Sequence, residues 1–134
     1  MNPSARPSFL LRAEGLAALT AACFAYHRFF PGHGGLFAAL FLAPDVSLFA
    51  YLGSRGGFSA GVYNAFHTYV GPVALGVIAL GAGPAWTGQI ALIWFAHIGF
   101  DRLLGFGLKY PGEFRRTHIQ RAADFPAGLS IASS

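Results

Sequence analysis

Four long apolar stretches, joined by short turn-forming segments, leave this chain little with which to build a water-facing surface: Phe9–Tyr26, Gly34–Leu52, Ala60–Gly83 and Trp86–Phe106. Each approaches the roughly 20 residues that a helix needs to cross a hydrocarbon core of about 30 Å. Only 10% of the 134 residues are charged and 54% are hydrophobic, whereas about a quarter of an average soluble domain is charged. A domain this small keeps much of its surface outside, so the missing polar cover implies lipid and excludes disorder. The expected fold class is all-α, a polytopic bundle of four transmembrane helices. Arg12 and Glu14 interrupt the first stretch, and no small-residue cleavage site precedes a polar mature region, which argues against a secretory signal.

Short connections make consecutive helices antiparallel. Four spans then gather Arg6, Arg12, Arg55, Arg102, Lys109, Arg115, Arg116 and Arg121 on one side and leave only Arg28 on the other. By the positive-inside rule both termini are cytoplasmic and the chain is a multi-pass protein of the inner membrane. The basic residues form no dense stripe, so nucleic acid is not an expected partner. Cys23 is the single cysteine, which excludes an intramolecular disulfide and a thiolate-based metal site. Residues 1–110 form the expected four-span domain and 111–134 a cytoplasmic tail, whose middle could lie as a short helix on the membrane surface.

Ionisable groups inside a membrane are costly and face the bundle interior, so their depth is informative. Glu14, Asp45, His67, His97 and Asp101 all fall about 7–14 Å below the cytoplasmic ends of their spans at 1.5 Å per residue. Facing agrees with depth. Asn64, His67 and Thr68 are spaced i, i+3, i+4 and His97 and Asp101 i, i+4, so each set shares one helix face. Pro44 and Pro72 each remove an intrahelical hydrogen bond beside this layer, and the resulting kinks can open a small cavity.

Such a set suits either of two devices. Imidazole and carboxylate donors bind Zn, Mn or Fe, with His67, His97 and Asp101 as ligands, and the same groups form an acid/base pair when burial separates their pKa values. Asp45 or Glu14 is then the base, Asn64 a neighbouring polar contact, and the substrate a lipid-soluble small molecule hydrolysed or rearranged at the site. No His-Glu-x-x-His, paired Glu-x-x-His or Gly-x-Ser-x-Gly motif is present. Plainer roles compete with this one. Glu14 can pair with Arg12 at the interface, Arg102 can snorkel to the headgroups, and His118 belongs with Arg115 and Arg116 on a solvated basic face. The glycines of the last span, Gly99 and Gly105 among them, let helix backbones approach. The rival class is a non-enzymatic module, either an accessory subunit whose polar layer fixes helix register or a small proton-conducting carrier. Little beyond Thr20, Thr87 and Gln89 lies in the outer halves of the spans, which argues against transport. A homo-oligomer would cover the apolar exterior as well as lipid does.

The segments Pro44-Asp45-Val46-Ser47-Leu48, Tyr63-Asn64-Ala65-Phe66-His67-Thr68-Tyr69 and Trp94 to Tyr110, with Arg12-x-Glu14-Gly15 before them and Thr117-His118 after, carry a resemblance. From about Leu10 to His118 the chain resembles the small bacterial integral membrane proteins grouped as domain of unknown function 4260. That resemblance implies a compact four-span protein and brings no activity with it.

Overall fold

The computed structural model describes residues 5–49, 57–110 and 113–117. The chain is helical throughout these segments apart from one small hairpin. Helix α1 spans Ala5–Phe29, α2 the short Gly34–Leu40, and a 3₁₀ segment Ala43–Phe49. Helices α3 (Gly57–Phe66), α4 (Val70–Gly81) and α5 (Ala85–Leu104) follow. Strands β1 (Lys109–Tyr110) and β2 (Glu113–Thr117) pair antiparallel, Lys109 opposite Thr117 and Tyr110 opposite Glu113.

The first and last apolar stretches are continuous helices, but the middle two are broken. The expected second span ends as an α-helix at Leu40 and continues as the 3₁₀ segment, because Pro44 has no N–H to continue an α-helical ladder. The third is interrupted at residues 67–69, and α4 restarts at Val70 with Pro72 in its first turn. Proline is tolerated there because first-turn N–H groups have no intrahelical partner anyway. Pro72 therefore opens a new helix and does not kink a long one. The tail begins with β2 over Glu113–Thr117; its middle, expected to form a surface helix, lies outside the described residues.

Helix α5 is the hub, packed along α1 on one side and α4 on another. Small residues make this possible. A Cβ built on Gly15 would stand 2.6 Å from the Leu103 nitrogen and 2.7 Å from the Gly99 carbonyl, and one on Gly99 only 2.7 Å from the Leu19 nitrogen. Gly71 lies beneath the Trp94 indole in the same way, between α4 and α5. Helix α2 is held by an aromatic series in which Tyr26 meets Phe37 edge-on at 5.0 Å, Phe37 stacks on Phe41 at 5.6 Å, and Phe41 meets His97 at 5.7 Å.

A Schellman motif terminates α5: the Phe106 N–H bonds the Asp101 carbonyl at 2.8 Å and the Gly105 N–H the Arg102 carbonyl at 3.0 Å. Gly105 has φ +91°, which costs an L-residue about 1–2 kcal/mol. Gly105→Ala is expected to lose about that much stability in thermal denaturation and Gly105→Asn less, since Asn accepts the left-handed conformation more readily. Equal melting of Gly105→Ala and wild type would contradict the role of the cap.

Large apolar side chains face outward, and the interior mixes apolar residues such as Ile93 and Ile98 with polar ones. Phe24 (72% exposed), Phe58 (77%) and Leu80 (90%) face outward, while His97 (0%), Ser59 (0%), His67 (2%) and Thr87 (3%) lie inside. Among the described residues one helix, Ser8–Phe29, is long and apolar enough to cross a membrane unaided.

Candidate metal centre

Asp45, His67, His97 and Asp101 converge, each offering one donor atom, and the four atoms lie within 4.8 Å of one another. Asp45 sits in the first turn of the 3₁₀ segment, held by its own N–H to the Leu42 carbonyl at 3.0 Å and by the Ser47 hydroxyl donating to the Pro44 carbonyl at 2.8 Å. His67 follows α3 directly, its ring stacked on Tyr63 at 3.8 Å. His97 and Asp101 are one turn apart on α5, the spacing that puts both on one face.

Distances among the donors are nearly uniform. His67 Nε2 lies 3.2 Å from Asp45 Oδ1 and 3.4 Å from Asp101 Oδ2, while His97 Nε2 is 3.3 Å from each of the same two oxygens. The two Nε2 atoms are 3.3 Å apart. Donors placed about 2.0–2.2 Å from a central ion at the corners of a tetrahedron have edges of about 3.3–3.6 Å. Four of these five distances fall in that range and the fifth, His67 to Asp45 at 3.2 Å, is just short of it.

Hydrogen bonding fixes which way the His67 lone pair points. Its Nδ1 stands 2.9 Å from the Tyr63 carbonyl, which can only accept, so Nδ1 carries the proton and donates it. In the neutral ring Nε2 then bears a lone pair directed at two carboxylate oxygens and a second imidazole nitrogen. A proton shared through His97 Nε2 or a cation held between the four groups relieves this meeting of acceptors. A histidine that donates Nδ1–H to a carbonyl and presents Nε2 to the centre is the usual arrangement around a metal. The charges agree as well, since two carboxylates and two neutral imidazoles neutralise one divalent ion in a poorly hydrated site. His97 Nδ1 is buried without a hydrogen-bonding partner among the described residues.

The break between α3 and α4 exposes carbonyls that α5 satisfies. Trp94 Nε1 donates to the Phe66 carbonyl at 2.6 Å and Arg102 Nη2 to the His67 carbonyl at 3.1 Å. Arg102 thus turns inward, half-buried, and does not reach outward as its position near a span end suggested. Capping these two carbonyls fixes the backbone on both sides of the His67 ring. Tyr63, on which the His67 ring stacks, is buried.

The remaining expected residues lie elsewhere. Asn64 is half-buried on α3, where its backbone carbonyl accepts from the His67 N–H at 3.2 Å, and it is not one of the converging donors. Glu14 shares the depth of the cluster but not its side of α5; it is exposed and lines a separate cavity with Leu11, Gly15, Tyr69 and Arg102. His118 lies outside the described residues.

Exposure within the cluster is uneven. The side chains of His67 and His97 are 3% and 1% exposed and that of Asp101 17%, against 38% for Asp45. Three donors form a closed base and Asp45 stands at the open side.

A family model described as a domain of unknown function (DUF4260) matches residues 8–122. No curated protein matches the chain, and no solved structure does.

Proposed function

The chain belongs to the DUF4260 family, a domain of unknown function, and from that premise we propose, on geometry alone, a membrane-embedded, metal-dependent hydrolase acting on a lipid-soluble ester or amide. The convergence of four donor atoms carries the reading, because the His67 and His97 Nε2 atoms and one oxygen each of Asp45 and Asp101 gather around one point at spacings that suit a cation. His67, His97 and Asp101 hold the ion, and Zn, Mn and Fe all suit this donor set. The bound ion supplies Lewis acidity toward a carbonyl oxygen.

Asp45, at the open side, acts as general base. It takes a proton from the attacking water as the water oxygen bonds to the carbonyl carbon, then returns that proton to the leaving oxygen or nitrogen as the acyl bond breaks. The outward-facing apolar side chains support a lipid environment, with α1, the pair α2 and 3₁₀ segment, the pair α3 and α4, and α5 as four passes. Half-helices are tolerated at membrane depth where they line a protein interior, and here side chains of α5 cap the third pass at its break. The distribution of Lys and Arg supports cytoplasmic termini and a cytoplasm-facing site.

A second reading has its own support: Asp45 Oδ1 stands as close to both imidazoles as Asp101 does, as in a closed four-ligand structural site. Asp45→Asn separates the two. A catalytic base predicts retained metal and a fall of about 10²–10⁴-fold in metal-dependent turnover of p-nitrophenyl octanoate and its anilide analogue in detergent. A structural ligand predicts weaker metal binding and a lower melting temperature, and wild-type protein that turns over neither probe with Zn, Mn or Fe removes the hydrolytic reading.

A further inference from the structure

Helices α1 and α4 both pack on α5 yet scarcely touch each other, which leaves a valley with α5 as its floor. Most of it is an apolar groove of about 650 Å³, walled by Ala25 and Phe30 on the α1 side and Val73 and Val77 on α4, with Gly88 and Leu92 beneath. That volume is within the roughly 300–1,000 Å³ of ligand sites. At one end the character changes. The Phe95 ring, which lines the groove, lies 4.7 Å from the Tyr69 ring, and beyond Tyr69 is the separate cavity of about 170 Å³ that also holds Glu14 and Arg102.

Two polar atoms there, the Tyr69 hydroxyl and Arg102 Nη1, are buried without a hydrogen-bonding partner among the described residues. Unmet buried donors of this kind are costly, and a guanidinium beside a hydroxyl matches the oxygens of a phosphate. Tyr69 is within electrostatic reach of both Arg102 and Glu14, so an anion and a cation can be met side by side. We propose that this valley binds one amino-headed glycerophospholipid of the surrounding bilayer, its phosphate on Arg102 and Tyr69, its ammonium toward Glu14 and an acyl chain along the groove. The source of the lipid rests on the membrane reading above; the site shares Arg102 with the surroundings of the metal centre, Nη2 capping the His67 carbonyl, but uses none of its four donors.

Native mass spectrometry of the detergent-solubilised full chain tests this, titrated with palmitoyl-oleoyl phosphatidylethanolamine, the matching phosphatidylglycerol and the matching diacylglycerol. The ethanolamine lipid should bind tightest, and the headless diacylglycerol at least about tenfold more weakly. Tyr69→Phe should weaken the ethanolamine lipid by about tenfold, one hydrogen bond to a charged group, without lowering the melting temperature of delipidated protein. Arg102→Gln also removes the bond to the His67 carbonyl, so Arg102→Lys, which keeps the charge, is its companion and should retain part of the affinity. Glu14→Gln should erase the preference over phosphatidylglycerol. Diacylglycerol binding as well as the ethanolamine lipid, phosphatidylglycerol binding as tightly to wild type, or Tyr69→Phe matching wild type would each overturn the proposal. Fractionation of the chain away from membranes, with lipid selectivity intact, would sink the membrane reading and leave the site standing.

Discussion

Replacing His97 or His67 by alanine is expected to take bound divalent metal from about one ion per chain to nearly none. Each side chain is one of the three ligands proposed above, and removing either leaves one imidazole and Asp101 to hold the ion. Loss of a partner one step removed from a metal already costs about 10–100-fold in affinity, so loss of a ligand should cost at least about a hundredfold. Elemental analysis of protein purified in mild detergent, with isothermal titration of zinc and manganese, reads this directly. Thermal denaturation gives a second readout, since a ligand at about a thousand times its Kd stabilises the native state by about 4 kcal/mol, and that increment should vanish in both variants. Affinity should also fall with falling pH, because both imidazoles and both carboxylates must shed protons to bind the ion. Wild-type metal content in His97→Ala would refute the centre outright.

Of changes outside the cluster, Gly99→Ala is expected to be among the most damaging despite adding a single methyl group. The new Cβ would meet the Leu19 nitrogen at 2.7 Å and the Gly15 carbonyl at 2.8 Å. These are backbone atoms in a neighbouring helix and cannot rotate aside, so α1 and α5 must separate, at about 1–3 kcal/mol for overpacking of this kind. Since Gly99 lies between His97 and Asp101, the displacement should weaken metal binding as well. Gly61→Ala is the control. A Cβ at Gly61, within α3, meets nothing within 4 Å, and alanine there should stabilise by about 0.5–1 kcal/mol. Urea or thermal unfolding in detergent compares the two, and similar effects would show that the helices do not approach as described.

The contrast between Asp101 and Glu14 shows how far sequence reasoning reaches into the site. Depth along a span can be counted from residue number, and i, i+4 spacing shows that His97 and Asp101 share a face, so the convergence of the four donors is legible in the sequence alone. Direction around the bundle is a property of contacts between helices. Glu14 has the depth of the cluster, yet the packing of α1 on α5 turns it toward Arg102 and Tyr69. The breaks are only half legible. Pro44 and Pro72 mark weak points, but a proline does not say whether a helix bends, stops or starts, and that depends on what else can satisfy the exposed carbonyls. The donors that do so are Trp94 and Arg102, about 30 residues downstream of the carbonyls they cap, a distance at which local pattern carries no signal. The hairpin escapes sequence reasoning for the same reason, because β2 is specified by β1 and not by its own five residues.

The pairing of α1 with α5 joins the first and last helices among the described residues, and this has a consequence for biogenesis. Gly15 leaves the ribosome 84 residues before Gly99, an interval of about 4–17 s at roughly 5–20 residues per second. Throughout it α1 has no partner for its glycine face, and the Phe66 and His67 carbonyls wait for donors that have not been made. The ligand set is likewise incomplete until translation has passed Asp101. A nascent chain stalled before that point lacks both the packing partner of α1 and two of the four converging donors, so if the proposed ion binds, it binds only molecules whose synthesis has passed through the end of α5.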